Sequence, residues 1–229
     1  MTAEILGAMA AAHGTDKNGR HAYTQHYGRH LDQLRETAFN LLEIGVGGYE
    51  DPLEGGRSLR TWKDYFPLAN IVGLDFYDKS AMSEDRIKIY QGSQADPKVI
   101  SKILSDYDSF RVIIDDGSHR SEHVISTLLM LWQYVEPGGW YIIEDLQTSY
   151  WPMFGGAFYE KNSPLTSMGY LKSLVDGLNW SEIHQPTYSP TEFDKTLVGM
   201  HFYQNLAFLQ KGDNTRGSAF VRENRFPGL

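Results

Sequence analysis

The apolar positions of this chain follow two alternating rhythms. Short continuous runs close on polar or glycine-rich ends. These are "FNLLEIGVGG" (39–48), "NIVGLDFYD" (70–78), "RIKIYQGSQAD" (86–96), "RVIIDDG" (111–117) and "WYIIED" (140–145), and they read as buried strands. Between them, "SLRTWKDYF" (58–66), "DPKVISKILSDY" (96–107) and "SEHVISTLLMLWQYV" (121–135) space their apolar residues as helices do. Asp96 suits a helix N-cap and Pro97 the first helical position, while "EPGG" (136–139) punctuates before the fifth strand. Strands alternating with helices predict βαβ units and a largely parallel sheet.

The two ends of the chain depart from this rhythm. The apolar run Ile5 to Ala12 is too short to span a bilayer and has no basic residue before it, so it reads as an amphipathic helix rather than a leader. Residues 146–165 are rich in aromatics, Gly and Pro without periodicity, which predicts a long functional loop. "SMGYLKSLVDGL" (167–178) reads as one helix with Met168, Leu171, Leu174, Val175 and Leu178 on a face. "GMHFYQNLAFLQKGD" (199–213) reads as an antiparallel hairpin turning near Gln204–Asn205. No linker or repeat is visible, and a single domain over 1–229 is expected, with 1–37 a helical lid segment and 146–198 a substrate-binding insertion.

Composition narrows the chemistry. The 229 residues are 41% hydrophobic, enough for a sizeable core. A formal net charge of -8 argues against nucleic acid as a main partner. The chain contains no cysteine, which excludes disulfides, thiolate metal sites and thiol nucleophiles. The expectation is a soluble, cytoplasmic protein with neither a membrane nor a nucleic-acid partner.

The candidate chemistry lies where the strands end, since ligands of open α/β sheets bind outside the carboxyl ends of the strands. Glu43, Asp75, Asp115, Asp116, Glu144 and Asp145 all fall there. Glu43-x-Gly45-x-Gly47-Gly48 follows the first strand, and glycines there permit a tight turn and close backbone approach. Asp75 is placed to accept from ribose hydroxyls. It follows Gly45 by 30 residues rather than the usual ~20, because "DPLEGGR" (51–57) is inserted, and a nicotinamide cofactor is not favoured. Asp115 and Asp116 are adjacent carboxylates, costly to desolvate without a positive partner. If the fourth and fifth strands are neighbours, Asp116, Glu144 and Asp145 converge, and an all-oxygen set favours magnesium or manganese. His119 lies three residues past Asp116, whereas His123 falls inside a helix.

E-x-G-x-G-G, Asp75, "QGSQAD", "DDG" and "EPGGWYIIED" together resemble the class I S-adenosylmethionine-dependent methyltransferases over about residues 38–145. The resemblance implies a Rossmann-like, doubly wound, seven-stranded α/β sheet, mostly parallel with a C-terminal antiparallel hairpin. It implies that Glu43, Gly45 and Gly47 line the methionine moiety, Asp75 holds the ribose, Gln94 lies near the adenine and Asp115 sits near the sulfonium. Ser58, opening a helix, is expected to donate to the methionine carboxylate. "HGTDK" (13–17) is expected to bring Thr15 or Lys17 to that carboxylate, with a solvated turn as the alternative.

"DDGSH" followed by "IEDLQTSYW" is similar to one branch, the metal-dependent sugar O-methyltransferases. By that resemblance Asp116, Glu144 and Asp145 hold the metal, His119 is the general base, and Tyr150 and Trp151 stack on the sugar. The cofactors implied are S-adenosylmethionine and Mg2+ or Mn2+, the partner a small carbohydrate, and the assembly a homodimer. The compact length favours the 1-hydroxyl of a short 3-O-methylated mannoside as acceptor, in methylmannose polysaccharide synthesis. The alternatives are an antibiotic deoxysugar, a catechol-like phenol, or a non-catalytic cofactor-binding partner.

Overall fold

The computed structural model describes residues 2–221. The single domain expected over 1–229 therefore extends beyond the described residues at both ends. The chain divides into two compact units, Met1–Ser118 and His119–Leu229.

The first unit opens with helices α1 (Thr2–His13) and α2 (Thr24–Leu31). It continues through β1 (Asn40–Ile44), α3 (Arg57–Tyr65), β2 (Asn70–Asp75), β3 (Ile87–Gln91), α4 (Pro97–Asp106) and β4 (Phe110–Asp115). β1 lies between β2 and β4, and β2 pairs on its other side with β3, all parallel. Leu41, Leu42, Val72, Leu74, Val112, Ile113 and Ile114 are fully buried, which is why these strands read as continuous apolar runs. Ile44 is in register with Leu74 and with Asp115, so the acidic ends of three strands share one edge. Gly73 lets α3 sit tightly on this sheet, since a Cβ there would lie 2.9 Å from Leu59 Cδ1.

The helices follow their local chemistry. The Asp96 carboxylate accepts from the Lys98 N–H at 2.9 Å, capping α4 as expected. The N-terminal helix forms as predicted and buries Leu6 and Ala10. α2 has no counterpart in the sequence reading, because "TQHYGRHL" offers only Tyr27 and Leu31 as large apolar residues, one turn apart. Both are fully buried, and the Tyr27 ring lies 4.9 Å from that of Trp62 in α3. Within the segment expected as a lid, Leu6, Ala10, Tyr27 and Leu31 are fully buried.

The second unit contains α5 (Ser121–Leu131), β5 (Val135–Ile143), α6 (Ser167–Ser173), α7 (Glu192–Thr196), β6 (Leu197–Tyr203) and β7 (Leu206–Lys211). β7 pairs antiparallel with both β5 and β6, and the β6–β7 hairpin turns at 204–205 with Asn205 left-handed, as expected. Two sequence expectations are corrected. "EPGG" does not precede the fifth strand but lies within it, and the ladder with β7 begins only at Trp140, so Pro137 costs it no hydrogen bond. The helix expected over 167–178 ends at Ser173 and gives way to 3₁₀ turns across Asp176–Glu182. Of its predicted apolar face only Leu171 is fully buried, and Gly177 is pressed against Asp194 where a Cβ would lie 2.2 Å from Oδ1. The aromatic segment after β5 is a loop with two 3₁₀ turns, Leu146–Tyr150 and Pro152–Phe154. No helix among the described residues is long and apolar enough to cross a membrane.

Removing the α4 cap isolates one local term. Asp96→Ala is expected to lower unfolding stability by about 1 kcal/mol in a urea titration, with the slope unchanged.

Candidate active site

The acidic end of β1 is neutralised from an unexpected direction. Glu43 is fully buried, and the Lys17 ammonium, from the turn after α1, lies 3.2 Å from its Oε1. The same ammonium donates to Asp116 Oδ2 at 2.5 Å. The Trp62 indole N–H donates to the other Glu43 oxygen at 2.9 Å, and the nearby Ser58 side chain favours the charged form of the same carboxylate. Burial pushes the Glu43 carboxyl up, the Lys17 charge pulls it back, and the Asp116 charge adds to the rise. Lys17 is held for this task by its backbone, whose carbonyl accepts from the N–H groups of Tyr23 and Thr24 at 2.9 and 3.2 Å. Thr15 is buried two residues earlier, and its hydroxyl accepts from the Lys17 N–H at 3.4 Å.

The glycine turn after β1 is clamped to the end of β2. Asp75 Oδ2 accepts from the N–H groups of Val46 and Gly47 at 2.8 and 3.2 Å, and Oδ1 from that of Tyr77 at 2.9 Å. Gly45 (φ +96°) is obligatory, because a Cβ would lie 2.0 Å from the Asp116 carbonyl oxygen. Gly47 (φ +81°) has nothing within 4 Å of its Cβ position and faces open space. Across the sheet the Gln94 amide donates to Asp115 Oδ1 at 2.9 Å, and its oxygen accepts from the Ser118 N–H at 2.8 Å.

In the second unit, His119 and Asp145 both hold left-handed backbone, at φ +55° and +54°. Non-glycine residues adopt that conformation at a cost of order 1–2 kcal/mol, and such strain collects at functional sites. It brings His119 Nε2 to 3.8 Å from Asp145 Oδ2. Glu144 is buried beside them in sequence. Tyr150 and Trp151 are exposed, with Met153, Phe158 and Tyr159 exposed on the same loop.

The predicted residues thus fall into several groups. Lys17, Glu43, Ser58 and Asp116 form one network, Gln94 pairs with Asp115, and Asp75 grips the Gly45–Gly47 turn. His119 meets Asp145. Lys17 and Ser58, expected at a ligand carboxylate, are directed at Glu43 in this structure. Trp62 was not anticipated. It follows Ser58 by four residues on the same helix face, a spacing that would have paired it with whatever Ser58 touches.

Comparison with known proteins places this geometry. A family model described as Rhamnosyl O-methyltransferase/CmcI matches residues 71–176. The mycinamicin VI 2''-O-methyltransferase of Micromonospora griseorubida is 44% identical over 93% of this chain and 54% of its own length. The demethylmacrocin O-methyltransferase of Streptomyces fradiae is 45% identical over the same shares. The structure of MycE, a methyltransferase from the mycinamycin biosynthetic pathway in complex with Mg and SAH, matches with a TM-score of 0.90 at 44% identity, over 93% of this chain and 56% of MycE. Over more than nine tenths of its length this chain is therefore similar to O-methyltransferases. Its fold is Rossmann-like α/β, seven-stranded and mostly parallel with antiparallel C-terminal strands. The chain spans about half the length of the curated relatives it matches.

The glycine turn makes a sharp prediction. Gly47→Ala should cost only the strain of its backbone, about 1–2 kcal/mol. Gly45→Ala should cost clearly more, since it also drives a methyl group into the Asp116 carbonyl. Equal denaturation midpoints for the two variants would refute the close approach.

Proposed function

We propose that this chain carries a divalent-metal-dependent sugar O-methyltransferase, moving the methyl group of S-adenosylmethionine to a hydroxyl of a deoxysugar borne on a small molecule. The carrying observation is the pairing of His119 with Asp145, each held in left-handed backbone just past a strand end. The relatives named for mycinamicin and macrocin methylation support an antibiotic-type deoxysugar over the mannoside that chain length had suggested. The polysaccharide reading loses its support with the mannoside.

The cofactor is assigned to the first unit. Glu43 and the Gly45–Gly47 turn take the methionine portion, Asp75 the ribose, Gln94 the adenine side and Asp115 the neighbourhood of the sulfonium. The Gly47 backbone faces open space, which suits close approach of a ligand. Thr15, Lys17 and Ser58 act through Glu43, keeping its charge buried and fixed.

Asp116, Glu144 and Asp145 are the residues that would hold Mg2+ or Mn2+. Hard carboxylate oxygens suit such an ion, and the 3.8 Å approach of Asp145 to His119 marks where donor atoms gather in the second unit. A bound divalent ion would acidify a sugar hydroxyl and fix its oxygen. His119 is the base proposed to take the hydroxyl proton as the sugar oxygen attacks the methyl carbon and the sulfur departs. Tyr150 and Trp151 offer exposed ring faces to the acceptor. A homodimer is the proposed assembly, since twofold symmetry is the commonest for soluble oligomers.

Transfer of labelled methyl to a macrolide deoxysugar, a 3-O-methylated mannoside and a catechol, each with Mg2+ and with chelator, tests the reading. The expected outcome is chelator-sensitive labelling of the deoxysugar, reduced at least ~100-fold in kcat by His119→Ala. Chelator-insensitive labelling would remove the metal from the account. Cofactor binding without labelling of any acceptor would favour a non-catalytic role.

A further inference from the structure

The loop that leaves the glycine turn, residues 49–56, contains most of the "DPLEGGR" (51–57) insertion. It leaves the turn at Gly48 and returns at Gly55 and Gly56, immediately before α3. Its path is tight. A Cβ on Gly48 would lie 2.1 Å from the Glu54 carbonyl oxygen, and one on Gly55 would lie 2.3 Å from that of Gly47. The Gly56 N–H donates to the Val46 carbonyl at 2.8 Å, closing the loop at its base. The conformation of this insertion therefore fixes both the Gly47 backbone and the start of α3, where Ser58 sits.

Beneath the loop lies Lys79, a fully buried lysine. Its ammonium donates to the Asp51 carbonyl and, at 3.0 Å, to the Glu54 carbonyl. Burying an ammonium is costly, and no carboxylate is among the hydrogen-bond partners described for it. A methionine would fill the same volume without that cost, so packing alone does not account for a lysine here. What the ammonium adds is the capture of two loop carbonyls. Lys79 follows Asp75 by four residues on the segment that leaves β2. One end of that segment thus holds the glycine turn by its N–H groups, through the Asp75 carboxylate. The other end holds the insertion by its carbonyls. Two more contacts tie the same pair of segments. Met82 Cε lies 2.9 Å from the Cβ position of Gly56, and the Tyr77 hydroxyl pairs with Glu50 at 3.3 Å.

We propose that Lys79 is a positioning residue for the cofactor site. By fixing the 49–56 loop it presets the Gly47 backbone and the N-terminus of α3 for S-adenosylmethionine, without touching the ligand. The inference rests on the proposed cofactor reading and adds to it a residue in neither the glycine motif nor the acidic strand ends. A site that must order its loop on binding pays for that ordering in affinity, whereas a preset loop does not.

The test is calorimetric titration of SAH into the wild-type chain and into Lys79→Met, with thermal unfolding of both and steady-state kinetics over a range of S-adenosylmethionine. The expected result is SAH binding to the wild type and a Kd raised about tenfold or more in the variant. KM for the cofactor should rise in parallel, with a much smaller change in kcat at saturation. A role in folding alone would lower Tm while leaving Kd and KM unmoved, and that result overturns the proposal. Equal Kd values with equal Tm overturn it as well. Absence of SAH binding to the folded wild type would overturn the cofactor reading, and this inference with it.

Discussion

A single ammonium group, buried between two carboxylates, is the constraint on which the candidate cofactor end depends. Glu43 lies near the end of β1 and Asp116 just past the end of the neighbouring parallel β4, and the Asp116 charge adds to the cost of burying Glu43. Lys17 answers both at once, at 3.2 and 2.5 Å. Removing one partner from a buried pair typically costs about 3–5 kcal/mol, because the other charge is left uncompensated. The network therefore ties the N-terminal segment to the strand ends more firmly than its apolar contacts alone would. Trp62 completes it with a hydrogen bond to Glu43, so α3 is oriented by the same carboxylate.

Around that centre the first unit keeps its ligand-facing edge in order through backbone hydrogen bonds to side chains. Asp75 takes two N–H groups of the glycine turn, and Gln94 bridges Asp115 to the Ser118 N–H. Each such bond satisfies a donor that a tight turn would otherwise leave unpaired. The second unit works differently. His119 and Asp145 are held in a backbone conformation that disfavours side chains, and the tightly bonded turns after β5 help to maintain it: the Thr148 N–H and hydroxyl both donate to the Asp145 carbonyl, at 3.1 and 2.9 Å. Rigidity in one unit and stored strain in the other are both forms of preorganisation.

Much of this was legible in the sequence, and the physical reasons are specific. Parallel strands buried on both faces leave continuous apolar runs, so β1, β2 and β4 were visible with their acidic ends. Asp96 and Pro97 announced α4 by capping chemistry. The elements that escaped lack such local signals. α2 forms because Tyr27 and Leu31 find a core to enter, and the chain past Ser173 breaks its helix where Gly177 meets Asp194, a contact between distant residues that local pattern could not reveal. The site shows the same divide. The residue types at the strand ends pointed to their chemistry, but the partner of Asp116 came from residue 17, 99 positions away, through a tertiary contact. Lys79 was hidden for the same reason, since it acts on carbonyl groups that every residue carries.

The most direct test of the central constraint is a double-mutant cycle of Lys17→Met and Glu43→Gln, read by urea unfolding. The account predicts a favourable coupling of at least about 1 kcal/mol between the two side chains. Additivity within about 0.3–0.5 kcal/mol would contradict it, and would mean that the buried ion pair does not organise the strand ends.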